Sequence, residues 1–297
     1  MTADPGPKPP PPDGVVVIDK PKGPTSHDVV MRVRKLLKTR AVGHAGTLDP
    51  MATGVLVVAV GEGTKLVPWL TAADKAYEAT IRLGAATDTL DAEGNVTETR
   101  EVPALTDEAI ERALAAERAR TEQIPPAFSA IKVDGVRSHE RARKGEDVAL
   151  AARPVEVRSL TLVARREGEL DVRVESAKGY FVRSLARDLA AALGTVGHLT
   201  ALRRVRSGAF CIEDAVALEA LGPDALLGLD AAAAKALPVS VLDADGVKAA
   251  GHGQRVAPAQ MKDVHVGPTA WLDERGRLVA VGECGPDGGR VLRGFPR

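Results

Sequence analysis

Two short, uninterrupted apolar runs restrict the fold more than any other feature of the sequence. Residues 15–18 and 55–60 are each strand-sized, and turn residues follow each of them. Such runs predict strands that are buried in a sheet. Between them, Thr25 and Asp28 have the spacing of a capping box, so a helix is predicted to begin there and to end near Arg40.

The rest of the chain continues to mix strands and helices. Alternating patterns predict strands at 77–83, 160–162 and 170–174, and helical patterns predict helices at 106–116, with Thr106 as the cap, and at 183–193, before Gly194. The elements do not alternate as regular β-α-β units. We therefore expect an α+β fold with a mixed, largely antiparallel sheet, rather than a doubly wound α/β fold.

The charge balance excludes a uniformly basic nucleic-acid-binding protein. The chain has 40 basic and 40 acidic residues, so any surface for nucleic acid has to be local. Basic residues are concentrated at 32–40, 137–144 and 203–206, although each run taken alone is also typical of a solvated surface.

Cysteine usage and hydropathy predict a cytoplasmic protein. The two cysteines, Cys211 and Cys284, are far apart and form no CxxC pair, so neither a disulfide framework nor a zinc site is indicated. The histidines and aspartates have no metal-ligand spacing, and no metal is expected. Residues 1–13 lack the charged start and the apolar stretch of a signal peptide, so none is expected. The sequence has no apolar run of about 20 residues, which a membrane-spanning helix needs.

Composition shifts predict the domain organisation. Residues 1–13 are Pro-rich and predicted to be a disordered tail, and residues 14–237 are expected to form the main domain. Within it, 123–153 is too long and too polar for an ordinary connection, which indicates a functional insertion. An Ala/Leu-rich helical connector is predicted at 215–238. A small β-rich domain is predicted at 238–297.

The segment from Gly43 to Gly54 holds a single carboxylate, Asp49, among small residues that allow another backbone to approach closely. An isolated Asp-Pro pair such as Asp49-Pro50 is more often a turn than a catalytic site. The whole twelve-residue segment is much more specific.

This segment resembles the TruB family of tRNA pseudouridine synthases, which is related to the dyskerin-type enzymes. The resemblance extends from residue 14 to the connector. It continues in Asp19-Lys-Pro-Lys-Gly-Pro-Thr-Ser26, Lys75-Ala-Tyr77, Leu83-Gly84, Thr87-Asp-Thr-Leu-Asp91, Gln123-Ile-Pro-Pro-Ala-Phe-Ser-Ala-Ile-Lys132, Lys178-Gly179, Arg183-Ser-Leu185 and Leu202-Arg-Arg204. It implies a pseudouridine synthase fold, an RNA-clamping insertion at 123–153 and a PUA-like RNA-binding domain at 238–297.

The resemblance also implies the catalytic residues. Asp49 would be the catalytic aspartate, and Arg183 would pair with it, keeping it ionised and aimed. Tyr77 would stack on the flipped base and is a candidate for removing the C5 proton. Whether Asp49 first attacks the base, attacks C1′ or removes a sugar proton is left open, because all three steps use the same carboxylate.

Seven further positions are implied to bind the substrate RNA. They are His44, Phe181, Lys20, Gly46, Thr47, Lys132 and Lys178. The family pattern Lys-Gly-Thr-Tyr-Ile-Arg reads Lys178-Gly-Tyr-Phe-Val-Arg183 here, so Phe181 takes the place of the family tyrosine. A phenyl ring keeps the stacking surface but lacks the hydroxyl, so a hydrogen bond from that position should not be essential.

The implied activity is isomerisation of uridine to pseudouridine at position 55 in the TΨC arm of tRNA, by base flipping. The expected partner is tRNA. No cofactor, membrane contact or obligate protein partner is expected, and a monomer is predicted. Two alternatives are a tRNA-folding chaperone that flips the same base without catalysis, and a guide-RNA-dependent enzyme of the dyskerin type. The intact Asp49 and Arg183 disfavour the first, and the long insertion disfavours the second.

Overall fold

The computed structural model describes residues 12–129, 131–133, 135–142, 144–146, 150–285 and 288–296. Its helices are α1 (Ser26–Leu37), α2 (Val67–Ala72), α3 (Asp107–Arg118), α4 (Ser138–Ala142), α5 (Val182–Ala192), α6 (Leu229–Ala236) and α7 (Ala244–Gly251). Its strands are β1 (Gly14–Lys20), β2 (Val42–His44), β3 (Thr53–Val60), β4 (Lys75–Leu83), β5 (Ala85–Thr87), β6 (Val96–Thr99), β7 (Glu122–Gln123), β8 (Lys132–Val133), β9 (Val136–Arg137), β10 (Arg153–Pro154), β11 (Val157–Arg166), β12 (Glu169–Ser176), β13 (Gly197–Ser207), β14 (Phe210–Cys211), β15 (Val216–Ala217), β16 (Leu227–Gly228), β17 (Val239–Leu242), β18 (Met261–Lys262), β19 (Gly267–Asp273), β20 (Leu278–Gly285) and β21 (Gly288–Gly294). Apart from Pro12 and Asp13, the tail predicted at 1–13 lies outside the described residues.

The strands and helices predicted from periodicity form where expected. In α1 the Thr25 hydroxyl accepts a hydrogen bond from the Asp28 N–H at 3.1 Å, and the Asp28 carboxylate accepts one from the Thr25 N–H at 2.9 Å. This reciprocal capping box satisfies two backbone donors that the helix leaves unpaired. At α3 the Thr106 hydroxyl accepts a hydrogen bond from the Ala109 N–H at 3.2 Å, which caps the helix without a reciprocal bond.

The chain divides into two compact units. The end unit contains the described residues of 1–48, 55–71 and 208–297, and the central unit contains those of 49–54 and 72–207. In the central unit, antiparallel strands run in the order β11-β12-β4-β13, and Tyr77 of β4 lies opposite Val174 of β12 and Arg204 of β13. The other edge of β13 pairs in parallel with Thr53 and Gly54. The predicted mixed, largely antiparallel sheet is confirmed.

In the end unit, β1 lies between β3 and the short strands β15 and β16. From Val239 onwards the chain forms a sheet of its own, in the order β18-β17-β19-β20-β21, which confirms a β-rich C-terminal region. Val15 and Phe210 pack in one apolar core with Leu272 and Phe295, so residues on both sides of position 238 share a core. The domain boundary at 238 stays a prediction.

The connector at 215–238 differs from the predicted helix. Only its last part is α-helical, as α6. Val216 and Leu227 lie in strands that pair with β1, and two short 3-10 helices, Leu218–Ala220 and Pro223–Ala225, lie between them. The backbone donors and acceptors along that edge of β1 need partners, and this requirement overrides the helical preference of an Ala/Leu-rich segment.

The predicted insertion at 123–153 is closed at its base by pairing of β7 with β10, where Gln123 lies opposite Arg153. The described residues within it form the β8–β9 ladder and α4. No helix in the described part of the chain is long and apolar enough to cross a membrane.

The C-terminal sheet is built around the fully buried indole of Trp271. Gly282 and Gly289 lie directly against this ring. A methyl group added at Gly282 would lie 2.1 Å from the indole Cζ2 atom, and one added at Gly289 would lie 2.7 Å from Cη2. Both positions therefore need glycine for packing, since a Cβ cannot approach another carbon so closely.

We expect Gly282→Ala to lower the free energy of unfolding by about 1–3 kcal/mol, because the ring has to shift within a packed core. Urea unfolding followed by circular dichroism measures the change. Gly294→Ala is the matched control in the neighbouring strand, because its added methyl group meets nothing within 4 Å. Equal stability of the two variants would contradict this account of the packing.

Candidate active site

The glycine-rich segment is held by hydrogen bonds to the elements that flank it. The Ser26 hydroxyl, at the start of α1, accepts a hydrogen bond from the Leu48 N–H at 2.8 Å and donates one to the Leu48 carbonyl at 3.0 Å. The Asp49 carbonyl accepts from the Ala52 N–H at 3.1 Å. These bonds fix the backbone on both sides of the Asp49 side chain.

Gly54 allows two strands of the central unit to meet. Its φ is +98°, and an added Cβ would lie 2.2 Å from the Arg204 carbonyl oxygen. Only glycine combines this backbone conformation with so close an approach. Gly54, Arg204 and Tyr77 therefore lie side by side on β3, β13 and β4.

Asp49 and Arg183 form a two-point ion pair. The Arg183 Nε lies 2.9 Å from Asp49 Oδ2, and an Arg183 terminal nitrogen donates to Asp49 Oδ1 at 3.3 Å. The two side chains differ in exposure: 7% for Arg183 against 32% for Asp49. A buried guanidinium thus orients a carboxylate that solvent or a substrate can reach.

The remaining donors of Arg183 are directed into the protein. They reach the Thr89 carbonyl at 2.9 Å and the Phe128 carbonyl at 2.8 Å. A second carboxylate, Asp91, lies 3.7 Å from the guanidinium and is only 5% exposed. Arg183 therefore lies between an accessible carboxylate and a buried one, and its planar fork has little freedom to turn.

Asp91 is the residue of this site that the sequence analysis did not single out. Its carboxylate accepts hydrogen bonds from the Thr89 hydroxyl at 2.6 Å and the Glu93 N–H at 3.1 Å. Leu90, just before it, has a φ of +62°, which a leucine rarely adopts. The one sequence signal that could have identified Asp91 is its position at the end of the motif that begins at Thr87.

Tyr77 and Phe181 are placed differently. Tyr77 is buried in β4, directly opposite Arg204 of the neighbouring strand β13. Phe181 is half-buried at the N-cap of α5, immediately before the turn that carries Arg183. The hydroxyl of Tyr180 points elsewhere, to Glu117 of α3 at 2.9 Å.

The other predicted RNA-binding residues are distributed over both units. Lys178 is exposed in the central unit, and Lys20, His44, Gly46 and Thr47 belong to the end unit. Lys20 is fully buried, with its Nζ 3.0 Å from the Pro21 carbonyl oxygen, whereas Thr47 is exposed. Lys132 lies in β8, and its side chain is outside the part that the structure describes.

A buried lysine lies two residues before Tyr77. Lys75 is 8% exposed, and its ammonium group donates to the Ala73 carbonyl at 2.6 Å. Burial, and then the positive charge of Arg204, lower the pKa of Lys75 to about 8. Arg204 itself is only 1% exposed, so this part of the sheet contains two buried cationic side chains.

Among the described residues, no group of three or more His, Cys, Asp or Glu side chains is placed to hold a metal ion. The positive charge between Asp49 and Asp91 is supplied by Arg183 itself. The arrangement can present an oriented carboxylate to a substrate.

Two family models match the chain in succession. Residues 34–182 match the N-terminal domain of the TruB family of pseudouridylate synthases, and residues 183–245 match the C-terminal domain of tRNA pseudouridylate synthase B. This chain belongs to the TruB family. The site described above is thus a site in a pseudouridine synthase.

Relatives of this TruB-family enzyme match over nearly their whole length. A Corynebacterium aurimucosum protein named tRNA pseudouridine synthase B is 51% identical over 274 residues, which cover 90% of this chain and 91% of that protein. A Thermobifida fusca protein of the same name is 46% identical over 280 residues, which cover 91% of this chain and 94% of that protein. One chain in the crystal structure of a Cbf5–Nop10–Gar1 complex has a TM-score of 0.74 at 26% identity, covering 96% of this chain and 84% of that one.

The depressed pKa of Lys75 predicts a pH-dependent stability. The ordinary value is 10.5 and the folded value is about 8, so between these values the unfolded chain binds a proton that the folded enzyme does not. The contribution of Lys75 to stability therefore rises with pH across this window. We expect the unfolding free energy of the wild type, relative to that of Lys75→Met, to increase between pH 8 and pH 10.

Urea unfolding at several pH values measures this difference. Lys178→Met removes a nearby exposed charge and reports how much of the difference comes from net charge alone. Parallel pH profiles for the wild type and Lys75→Met would show that the Lys75 ammonium group is not destabilised by burial.

Proposed function

We propose that this TruB-family enzyme isomerises uridine to pseudouridine at position 55 in the TΨC arm of tRNA, acting as a monomer in the cytoplasm without a cofactor or a protein partner. The names of its relatives support tRNA as the substrate, because two proteins named tRNA pseudouridine synthase B are 51% and 49% identical to it. The ion pair of Asp49 and Arg183 is the observation that carries the proposal.

The proposed reaction needs one reactive carboxylate. The bond between C1′ and N1 of the uridine breaks, the base turns, and C5 bonds to C1′. The C5 proton is then lost and N1 gains a proton, so the product is an isomer. Asp49 acts as the nucleophile or base that starts this sequence. Asp91 cannot share that role, because it is buried against Arg183.

The substrate base has to leave its stack before it can meet Asp49. Extruding a uridine costs a few kcal/mol, which contacts in the pocket must offset. Tyr77 and Phe181 provide aromatic surfaces for the flipped base, and Tyr77 is the candidate for removing the C5 proton. A closed pocket would also keep water from the detached base, so that isomerisation is favoured over hydrolysis.

Other residues bind the RNA outside the reacting nucleotide. His44, Gly46 and Thr47 contact the strand from which the base is extruded, and Lys132 and Lys178 contact phosphates. Lys20 is fully buried, so its role is to support the substrate-binding segment from within rather than to contact a phosphate. The insertion at 123–153 clamps the hairpin loop, and residues 238–297 act as a PUA-like RNA-binding domain. Local basic contacts of this kind suit a protein with no net charge.

The second candidate function is a tRNA-folding chaperone that flips the same base without chemistry. The two-point contact between Arg183 and Asp49 disfavours it as the sole function, because base flipping alone does not need an oriented carboxylate. Loss of pseudouridine formation, with RNA binding retained, distinguishes the two functions.

We expect Asp49→Asn to reduce pseudouridine formation on unmodified tRNA below about one-thousandth of the wild-type rate, because an amide is neither the nucleophile nor the base. Affinity for tRNA should stay within about tenfold, since the side chains are nearly isosteric. Release of tritium from C5-labelled uridine measures turnover, and filter binding measures affinity.

Asp74→Asn is the matched control for this experiment. Asp74 is 34% exposed and pairs with Arg158 at 3.1 Å, so it resembles Asp49 in burial and in having an arginine partner. It should keep near-wild-type turnover. Turnover by Asp49→Asn comparable to that of Asp74→Asn would rule out the proposed mechanism.

For Phe181 we expect Phe181→Tyr to retain kcat/KM within about threefold, because the ring surface is kept and a hydroxyl is only added. Phe181→Ala removes the ring and should lose at least about tenfold. Single-turnover rates on the same tRNA measure both. An inactive Phe181→Tyr variant would mean that Phe181 does not occupy the position of the family tyrosine.

A further inference from the structure

A buried carboxylate in α3 has no part in the proposed reaction. Glu117 is 2% exposed. Its carboxylate accepts hydrogen bonds from the Tyr180 hydroxyl at 2.9 Å and from the Arg120 Nε at 2.6 Å. Burial raises the pKa of Glu117, and these two donors counteract the rise. A buried carboxylate with specific donors is costly to place, so its position calls for an explanation.

These contacts connect the C-terminal end of α3 to Tyr180, just before α5, and to the second turn of that helix. Arg120 also faces Asp188 of α5 at 3.8 Å, and Asp188 accepts from Arg187 at 2.7 Å. Tyr180 is buried just before the N-cap residue of that helix. Burial also raises the pKa of the Tyr180 hydroxyl, so this group stays protonated and donates to Glu117. We call Glu117, Arg120 and Tyr180 the Glu117 network.

Helix α5 depends on such outside support. Its N-cap residue is Phe181, whose side chain makes no capping hydrogen bond. Instead, the buried Gln123 side chain accepts from the Phe181 N–H at 2.9 Å and donates to the Phe181 carbonyl at 3.2 Å. The Ser184 hydroxyl and Arg187 both donate to the Ile124 carbonyl at 2.9 Å. The turn that carries Arg183 is therefore positioned from outside its own helix.

We infer that the Glu117 network is a positioning device for the reaction: through Tyr180 it sets the direction of the first turn of α5, and so the aim of Arg183 at Asp49. Tyr180 is three residues before Arg183, and the guanidinium must meet two carboxylates and two carbonyls at once. A small rotation of this turn would change all four contacts. The inference rests on the proposed function, because it takes Asp49 and Arg183 as the reacting pair.

Tyr180→Phe tests the network most directly, since it removes one hydroxyl and keeps the ring. Glu117 retains its Arg120 partner in this variant, so the fold should survive. We expect kcat for pseudouridine formation to fall about tenfold, with KM for tRNA unchanged within about twofold, because catalysis is sensitive to small misalignments of reacting groups. Active enzyme is quantified by tRNA-binding titration well below the unfolding temperature.

Thr80→Val is the matched control for loss of a hydroxyl–carboxylate bond. The Thr80 hydroxyl donates to Asp171 of β12 at 2.8 Å in the same unit, and neither residue belongs to α3 or α5. Its kcat should equal that of the wild type, even if its unfolding temperature falls as much as that of Tyr180→Phe. A fall in unfolding temperature with unchanged kcat in Tyr180→Phe would show a purely structural role and would overturn the inference.

Glu117→Gln provides a second, independent test. The amide keeps the volume of the side chain, but its NH2 group is a donor and cannot accept a hydrogen bond. One of the two bonds, from the Tyr180 hydroxyl or from the Arg120 Nε, is therefore lost. We expect a fall in kcat at least as large as in Tyr180→Phe, and a double variant no slower than Glu117→Gln alone, since both changes break one network. Additive losses would mean that the two residues act separately, contrary to the inference.

The outcomes also separate this inference from the proposed function. Turnover by Asp49→Asn would remove the function itself. An inactive Asp49→Asn, together with wild-type kcat in Tyr180→Phe and Glu117→Gln, would leave the function standing and remove only the positioning role.

Discussion

The buried guanidinium of Arg183 is the interaction on which the site depends. It contacts Asp49, Asp91 and the backbone carbonyls of Thr89 and Phe128, so three separate segments of the central unit converge on one side chain. Burying a charge is unfavourable unless hydrogen bonds and an opposite charge compensate for it. The fold meets that requirement with a buried carboxylate on one side. It leaves the second carboxylate, that of Asp49, open to a substrate.

The start of α5, the helix that carries Arg183, is surrounded by polar contacts from other elements. A helix without a side-chain cap leaves backbone groups at its N-terminus to be satisfied by neighbours. Gln123, at the base of the insertion, bonds both polar backbone groups of Phe181, and Glu117 holds Tyr180. The insertion proposed to clamp RNA is thus anchored beside Arg183. Phe181 stands where the family pattern has a tyrosine, and the hydroxyl of the neighbouring Tyr180 donates to Glu117 of α3.

Periodicity and local motifs predicted much of the fold. The apolar run at 55–60, the capping box of Thr25 and Asp28, and the cap at Thr106 each specify a conformation through neighbouring residues, and each forms as predicted. The connector at 215–238 did not follow its composition. Its first part pairs with β1, and that need for hydrogen-bond partners is set by a strand some 200 residues away in the sequence.

By itself, the sequence determined the family, the candidate catalytic carboxylate and its expected arginine partner, because those residues lie in contiguous motifs. Only the tertiary structure decided which groups share the buried charge of Arg183. The sequence did not single out Asp91 as a partner of Arg183, and Glu117 and Tyr180 are 63 positions apart, so no local pattern could join them. The physical reason is that burial and charge pairing depend on which surfaces meet when strands and helices pack, and that information is distributed over the whole chain.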